Sequence, residues 1–187
     1  MPKAKKHTEK FNNFNLIIFG GTGDLAYRKI YPAIYQRFID GQLTCKYNII
    51  AVTRKQNHQD IFKKEMQSFL STNLKEESKV KDKFSLFMNN VHLVCAKEAS
   101  VAGYANLKRF VDGFKNYQNI FYFSTPSSAF GSISKALKDS LLVDKESKVV
   151  IEKPLGHNLD SSISINDEII ETFSESQIYR IDHYLGK

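Results

Sequence analysis

Short apolar runs alternate with longer amphipathic ones along most of the chain. The short runs span residues 15–19, 47–53, 91–95, 119–124 and 148–152 and are rich in β-branched and aromatic side chains. None shows the strict alternation of a strand with one wet face, so the pattern predicts strands buried on both sides, as in a parallel sheet. Between them apolar positions recur at helical spacing. Ile30, Ala33, Ile34 and Phe38 mark a helix over 25–39, and Ile61, Phe62, Met66, Phe69 and Leu70 mark one over 61–70. Further helices are predicted over 102–114, 128–142 and, after Pro154, 160–173; a strand-like run then opens within 174–187.

This order predicts a doubly wound α/β fold: a Rossmann-like, mostly parallel sheet with helices on both faces. The 187 residues suit one domain, placed at 14–187. Residues 1–13 are polar and basic and are expected to form a disordered lead-in. The run KEESKVKDK at 75–83 mixes both charge signs, as exposed helix faces and linkers do.

Composition narrows the class. With 42% apolar and 25% charged residues the chain reads as an ordinary soluble protein. No apolar run nears the roughly 18–20 residues that span a bilayer, and the charged N-terminus lacks an apolar core behind it. A cytoplasmic protein without a membrane partner is expected. Cys45 and Cys95 have no His or Cys at ligand spacing, so they are read as packing residues and no metal site is assigned. Lys and Arg outnumber Asp and Glu by 27 to 20, a net +7 that suits any polyanion. Aromatic and basic residues do not interleave and no nucleic-acid-binding motif occurs, so nucleic acid is not the expected partner.

The stretch FGGTGDL at 19–25 joins the first strand to the first helix. Its Gly20-x-x-Gly23 spacing, with Ala26 as a third small residue, resembles a dinucleotide fingerprint in the right context. Glycines let backbone N–H groups approach a ligand, and the helix start adds a positive dipole end suited to a diphosphate. Gly20, Gly21, Thr22, Gly23, Asp24 and Leu25 are therefore candidate cofactor contacts, Lys29 a further cation, and Asp24 also a helix cap. The second strand ends Thr53-Arg54-Lys55, without the acid that would accept from a ribose 2′-hydroxyl. Arg54 can instead grip a 2′-phosphate, which points to NADP as cofactor. Phe121, Tyr122 and Pro126, at the end of the fourth strand, are placed to wall the nicotinamide or to pack the core.

With IEKPLG at 151–156 and YRIDHYLGK at 179–187, the stretch FGGTGDLAYRKIYPAIY makes the chain resemble the glucose-6-phosphate dehydrogenase family from about residue 14 to the end. That family carries GxxGDLAxxK, EKPxG and RIDHYLGK at similar separations. The resemblance implies hydride transfer from C1 of glucose 6-phosphate to NADP, giving the lactone and NADPH. It implies that Lys153 touches substrate and cofactor, and that Pro154 sets the geometry between them. It further implies that His183, Tyr184 and Lys187 hold the 6-phosphate and that Asp182 orients a catalytic histidine. A phosphate dianion calls for such a lysine, phenol and imidazole together.

In that family the proton-abstracting histidine and the dimer contacts lie in a second domain, downstream of the last motif. The 187 residues are accordingly expected to be truncated, with little turnover alone. His7, His58, His92 and His157 fall outside the motifs. Gly21-Thr22 replaces a more usual Ala-Ser, and Tyr27 stands where a lysine is common. The rival readings are a non-catalytic NADP-binding module and an unrelated reductase. The latter would need its own Tyr-x-x-x-Lys acid–base pair, whereas the last motif puts Tyr184 only three residues before Lys187.

Overall fold

The computed structural model describes residues 12–55, 59–73 and 77–182. Six strands, β1 (Phe14–Phe19), β2 (Tyr47–Thr53), β3 (Val91–Cys95), β4 (Gln118–Phe123), β5 (Lys148–Glu152) and β6 (Ile178–Ile181), pair in parallel in the order β3-β2-β1-β4-β5-β6. This is the doubly wound Rossmann order, in which the chain reverses direction across the sheet between β1 and β4. Every residue of β2 is buried, as a strand flanked on both sides and covered on both faces must be.

Helices fill the two faces. A π-helical turn (Ala26–Ile30) leads into α1 (Tyr31–Ile39), and with α2 (Gln59–Asn73) and α3 (Glu77–Met88) it covers β1–β3. The other face packs α4 (Ala105–Asp112), α5 (Phe130–Asp139) and α6 (Leu159–Ile170) around Phe19, Phe121, Phe123 and Phe130. A capping box sets the start of α6: the Ser161 amide donates to Asn158 Oδ1 at 2.9 Å while the Asn158 amide donates to Ser161 Oγ.

Three features depart from the sequence pattern. β4 and β5 do alternate between buried and half-buried residues. The apolar cluster under α1–α3 takes nothing from β5 or β6 among the described residues, which leaves Ile120, Tyr122 and Val150 half-buried. The pattern marked no helix at α3, which takes in residues 77–83 of the charged run as an exposed helix face would and anchors through Phe84, Phe87 and Met88. Of the expected lead-in, residues 1–11 lie outside the described residues, whereas Asn13 is tied to both neighbouring strands. Its Oδ1 accepts from the Lys46 amide and its carbonyl from the Gln118 amide. No helix among the described residues is long and apolar enough to cross a membrane. Cys45 and Cys95 are free and half-buried.

At the amino edge, three buried asparagines lock strand register. Asn48 Nδ2 donates to Asn15 Oδ1 at 2.9 Å, Asn15 Nδ2 to Asn119 Oδ1 at 3.0 Å, and Asn119 Nδ2 to the Leu142 carbonyl at 3.2 Å. A one-residue slip of either neighbouring strand would turn its asparagine to the opposite face and break the chain. Asn15→Ala orphans a buried donor and a buried acceptor and should lower unfolding free energy by roughly 2–4 kcal/mol in urea titration. A loss below about 0.5 kcal/mol, the scale of an inert surface change, would show that the ladder does not hold the register.

Candidate functional site

The carboxyl ends of β1, β2, β3 and β4 enclose a cavity of about 700 Å³. One wall is the loop after β1. Gly20 sits at φ +77°, and a Cβ there would strike the Ser124 carbonyl and come within 3.2 Å of Thr125 Cγ2. Gly21 lies flat on β2: its amide donates to the Val52 carbonyl at 3.0 Å, and a Cβ would meet Ala51 Cα at 2.7 Å. The turn closes through the Gly23 amide on the Gly20 carbonyl at 2.8 Å, and the chain becomes helical at Asp24. Both glycines are demanded by close approach, and only Gly20 also by its φ.

The second wall is the tip of β2. The Thr53 and Thr22 hydroxyls bond across the loop at 3.0 Å, and Thr53 Oγ1 also accepts from the Lys55 amide. Arg54 and Lys55 are exposed on the rim, and among the described residues Arg54 forms no ion pair. From β3 the rim adds Lys97 and Glu98, so cations outnumber carboxylates three to one. Tyr104, 2% exposed and tilted on Phe19, lines the cavity with its phenol pushed up by burial. Pro126, Ser128 and Ser132 complete the wall after β4.

Ser124 and Thr125 line it too, and their hydroxyl oxygens are buried without a hydrogen-bond partner among the described residues. An unpaired buried hydroxyl costs about 1–3 kcal/mol, which a polar ligand in the crevice can recover.

Several residues singled out from the sequence lie off this cavity. The Asp24 carboxylate does not cap the helix. Asp24 is already helical, so its carboxylate pairs with Arg28 one turn on. Leu25 packs into the apolar cluster under α1, and Lys29 is exposed on the helix. Phe121 is fully buried in the opposite core. Tyr122 faces the other side of the sheet from its neighbours. It donates to Glu152 on β5, and burial followed by that carboxylate raises its phenol far above the usual range.

A second cavity, about 570 Å³, opens beyond β5. Lys153, Pro154, His157, Asn158 and Asp182 line it. The Lys153–Pro154 peptide bond is cis. The Lys153 amide donates to the Ile181 carbonyl at 2.9 Å, which carries the end of β6 and Asp182 alongside Lys153. The Gly156 amide donates to Ser127 Oγ at 3.3 Å, joining this rim to the loop that walls the first cavity. His183, Tyr184 and Lys187 lie outside the described residues. Thr53, Tyr104, Ser124 and Thr125 carried no motif; the one signal for them was position, at the end of a strand, directly after one, or opening a helix.

Sheet order, switch-point crevice and glycine turn together define a Rossmann domain of the nicotinamide dinucleotide-binding class. A family model described as "Glucose-6-phosphate dehydrogenase, NAD binding domain" matches residues 17–187. Glucose-6-phosphate 1-dehydrogenase of Rhizobium meliloti (strain 1021) is 35% identical over 174 residues, covering 93% of this chain and 35% of that protein. Its counterpart in Dickeya dadantii (strain 3937) is 38% identical over 173 residues, covering 92% and 35%. A solved structure titled "Glucose-6-phosphate dehydrogenase in complex with its substrate glucose-6-phosphate" superposes with TM-score 0.79 at 29% identity, covering 94% of this chain and 37% of the other. The Mycobacterium avium glucose-6-phosphate 1-dehydrogenase structure gives 0.82 at 25% identity. The chain belongs to the glucose-6-phosphate dehydrogenase family and spans about 35% of the length of the curated relatives just described.

The crevice makes a prediction about its own walls. Gly20 and Gly41 both have positive φ, but a Cβ on Gly41 would meet nothing within 4 Å. Gly41→Ala should cost only the left-handed strain of about 1–2 kcal/mol. Gly20→Ala should cost about 1–3 kcal/mol more, because it overpacks the switch point. Equal losses in paired urea titrations would mean that the loop is not wedged between strand ends.

Proposed function

We propose that this chain is the cofactor-binding part of an NADP-dependent glucose-6-phosphate dehydrogenase. The observation that carries the reading is the crevice itself: a glycine turn that a Cβ would block, two orphaned hydroxyls, and a rim of Arg54, Lys55 and Lys97. These fit a dinucleotide with an extra phosphate. The Thr22 amide and those of the opening helix, whose first N–H groups have no intrahelical partner, hold the diphosphate. Arg54, with Lys55 beside it, takes the 2′-phosphate as a bidentate partner. Thr22 and Thr53 keep the loop and the strand tip at a fixed spacing. Glu98 would oppose a phosphate placed against it, so the phosphate sits on the Arg54 side of the rim.

The substrate reading rests on the second cavity. Lys153 touches the sugar and the cofactor in this reading, and it shares a wall of that cavity with Asp182. His183, Tyr184 and Lys187 bind the 6-phosphate, and Asp182 orients the histidine that takes the C1 hydroxyl proton. That histidine belongs to the part of the family beyond the positions matched here. When bound, the nicotinamide supplies the hydride acceptor, and the sugar leaves as the 1,5-lactone.

Calorimetric titration tests the cofactor assignment. The chain should bind NADP at least tenfold more tightly than NAD, since a charge-assisted bond to phosphate contributes about 1.5–3 kcal/mol. Arg54→Gln should erase most of that preference by weakening NADP and leaving NAD nearly unchanged. Equal affinity for the two in the unaltered chain would contradict NADP specificity.

A further inference from the structure

A buried phenol holds the glycine turn from behind. Tyr31 is 0% exposed, and its hydroxyl donates to the Gly21 carbonyl at 2.5 Å. The Gly21 peptide is thereby pinned at both ends, its amide on the Val52 carbonyl and its carbonyl on Tyr31. Thr22 and Gly23, which follow directly, line the cavity. The orientation of the Gly21 carbonyl fixes that of the Thr22 amide, because the two share one peptide plane.

The helix is deformed where Tyr31 sits. Residues Ala26–Ile30 form a π-helical turn, closed by the Tyr31 amide on the Ala26 carbonyl. Pro32 accounts for it: it has no N–H for the Arg28 carbonyl, and its ring crowds that carbonyl, so the ladder widens by one residue. Tyr27 and Tyr31 lie edge to face at 5.7 Å, and both pack on Phe62 of α2. Their hydroxyls diverge. Tyr27 donates to Glu65 on α2, whereas Tyr31 reaches back to the loop. Burial raises the Tyr31 phenol well above its ordinary range, so it stays a donor throughout the working pH range.

We propose that Tyr31 is a positioning residue for the cofactor: its hydroxyl fixes the Gly21–Thr22 peptide so that the turn presents the Thr22 amide to the diphosphate. The inference deepens the NADP reading and rests on it. It differs from a plain core role in what it predicts. A core role affects every ligand through global stability, whereas a positioning role affects only ligands that engage the turn.

The test compares Tyr31→Phe, which keeps the ring contacts, with Tyr27→Phe, which removes a hydroxyl of the same helix that touches no loop atom. Each is titrated with NADP and with adenosine 2′-monophosphate, which carries the 2′-phosphate but no 5′-phosphate to engage the turn. Y31F should bind NADP about tenfold more weakly, the scale of one unmade hydrogen bond. It should bind the monophosphate within about twofold of the unaltered chain, and Y27F should match the unaltered chain on both ligands. Undiminished NADP binding by Y31F, an equal loss on both ligands, or failure of Y31F to fold would each overturn the proposal. A chain that binds neither NADP nor NAD before any substitution would instead overturn the reading beneath it.

Discussion

The carboxyl edge of this sheet is organised by how closely the 20–23 loop can lie against two strand ends at once. β2 and β4 flank β1 and carry the chain away in opposite directions, which opens a crevice above β1. A loop that crosses this opening must rest on Ala51 on one side and on Ser124 and Thr125 on the other. A side chain at Gly20 or Gly21 would lift it off both. With glycine there, the backbone settles onto β2 through the Val52 carbonyl. The Ser124 amide closes on the Phe19 carbonyl beside it. Thr22 and Gly23, which follow, then line the cavity at the start of the helix, where an anion is the natural complement.

Much of this was legible along the chain, for physical reasons that also explain what was not. The strands are dominated by apolar, β-branched and aromatic residues, so β1 to β5 emerge within a residue of their bounds. The glycine turn and Arg54 are local features, each readable in a few residues. The cavity's other walls arise from register: Tyr104, Ser124 and Thr125 meet Gly20 because strands distant in sequence end at the same height. Tyr122 shows the cost of lacking that register. It neighbours Phe121 and Phe123 in sequence, but alternation along β4 sends its side chain to the opposite face. The π-helical turn left no pattern of its own either. Pro32 reads equally well as an early helical residue, and only the Tyr31–Ala26 bond shows where the ladder widens.

The two cavities form one continuous edge. The loop 124–127 walls the first cavity and meets Gly156 of the second, while Tyr122 and Glu152 tie β4 to β5 beneath them. In the proposed reading, a dinucleotide laid across the switch point has its far end toward Lys153 and Asp182, which line the second cavity. The basic rim lies at the opposite end, on β2 and β3, where it is exposed and screened by salt over about 8–10 Å. Binding at that rim should weaken as ionic strength rises, whereas contacts to the turn, deeper in the crevice, depend on salt far less.

The central claim is that the turn after β1 and the tip of β2 hold one ligand together. Amide chemical-shift mapping of the nitrogen-15-labelled chain during NADP titration tests this most directly. The account predicts that the largest shifts fall on Gly20–Gly23, on Thr53–Lys55 and on Ser124–Thr125, all saturating along a single curve. Saturating shifts centred elsewhere, or a response at Arg54 and Lys55 with a silent glycine turn, would contradict it.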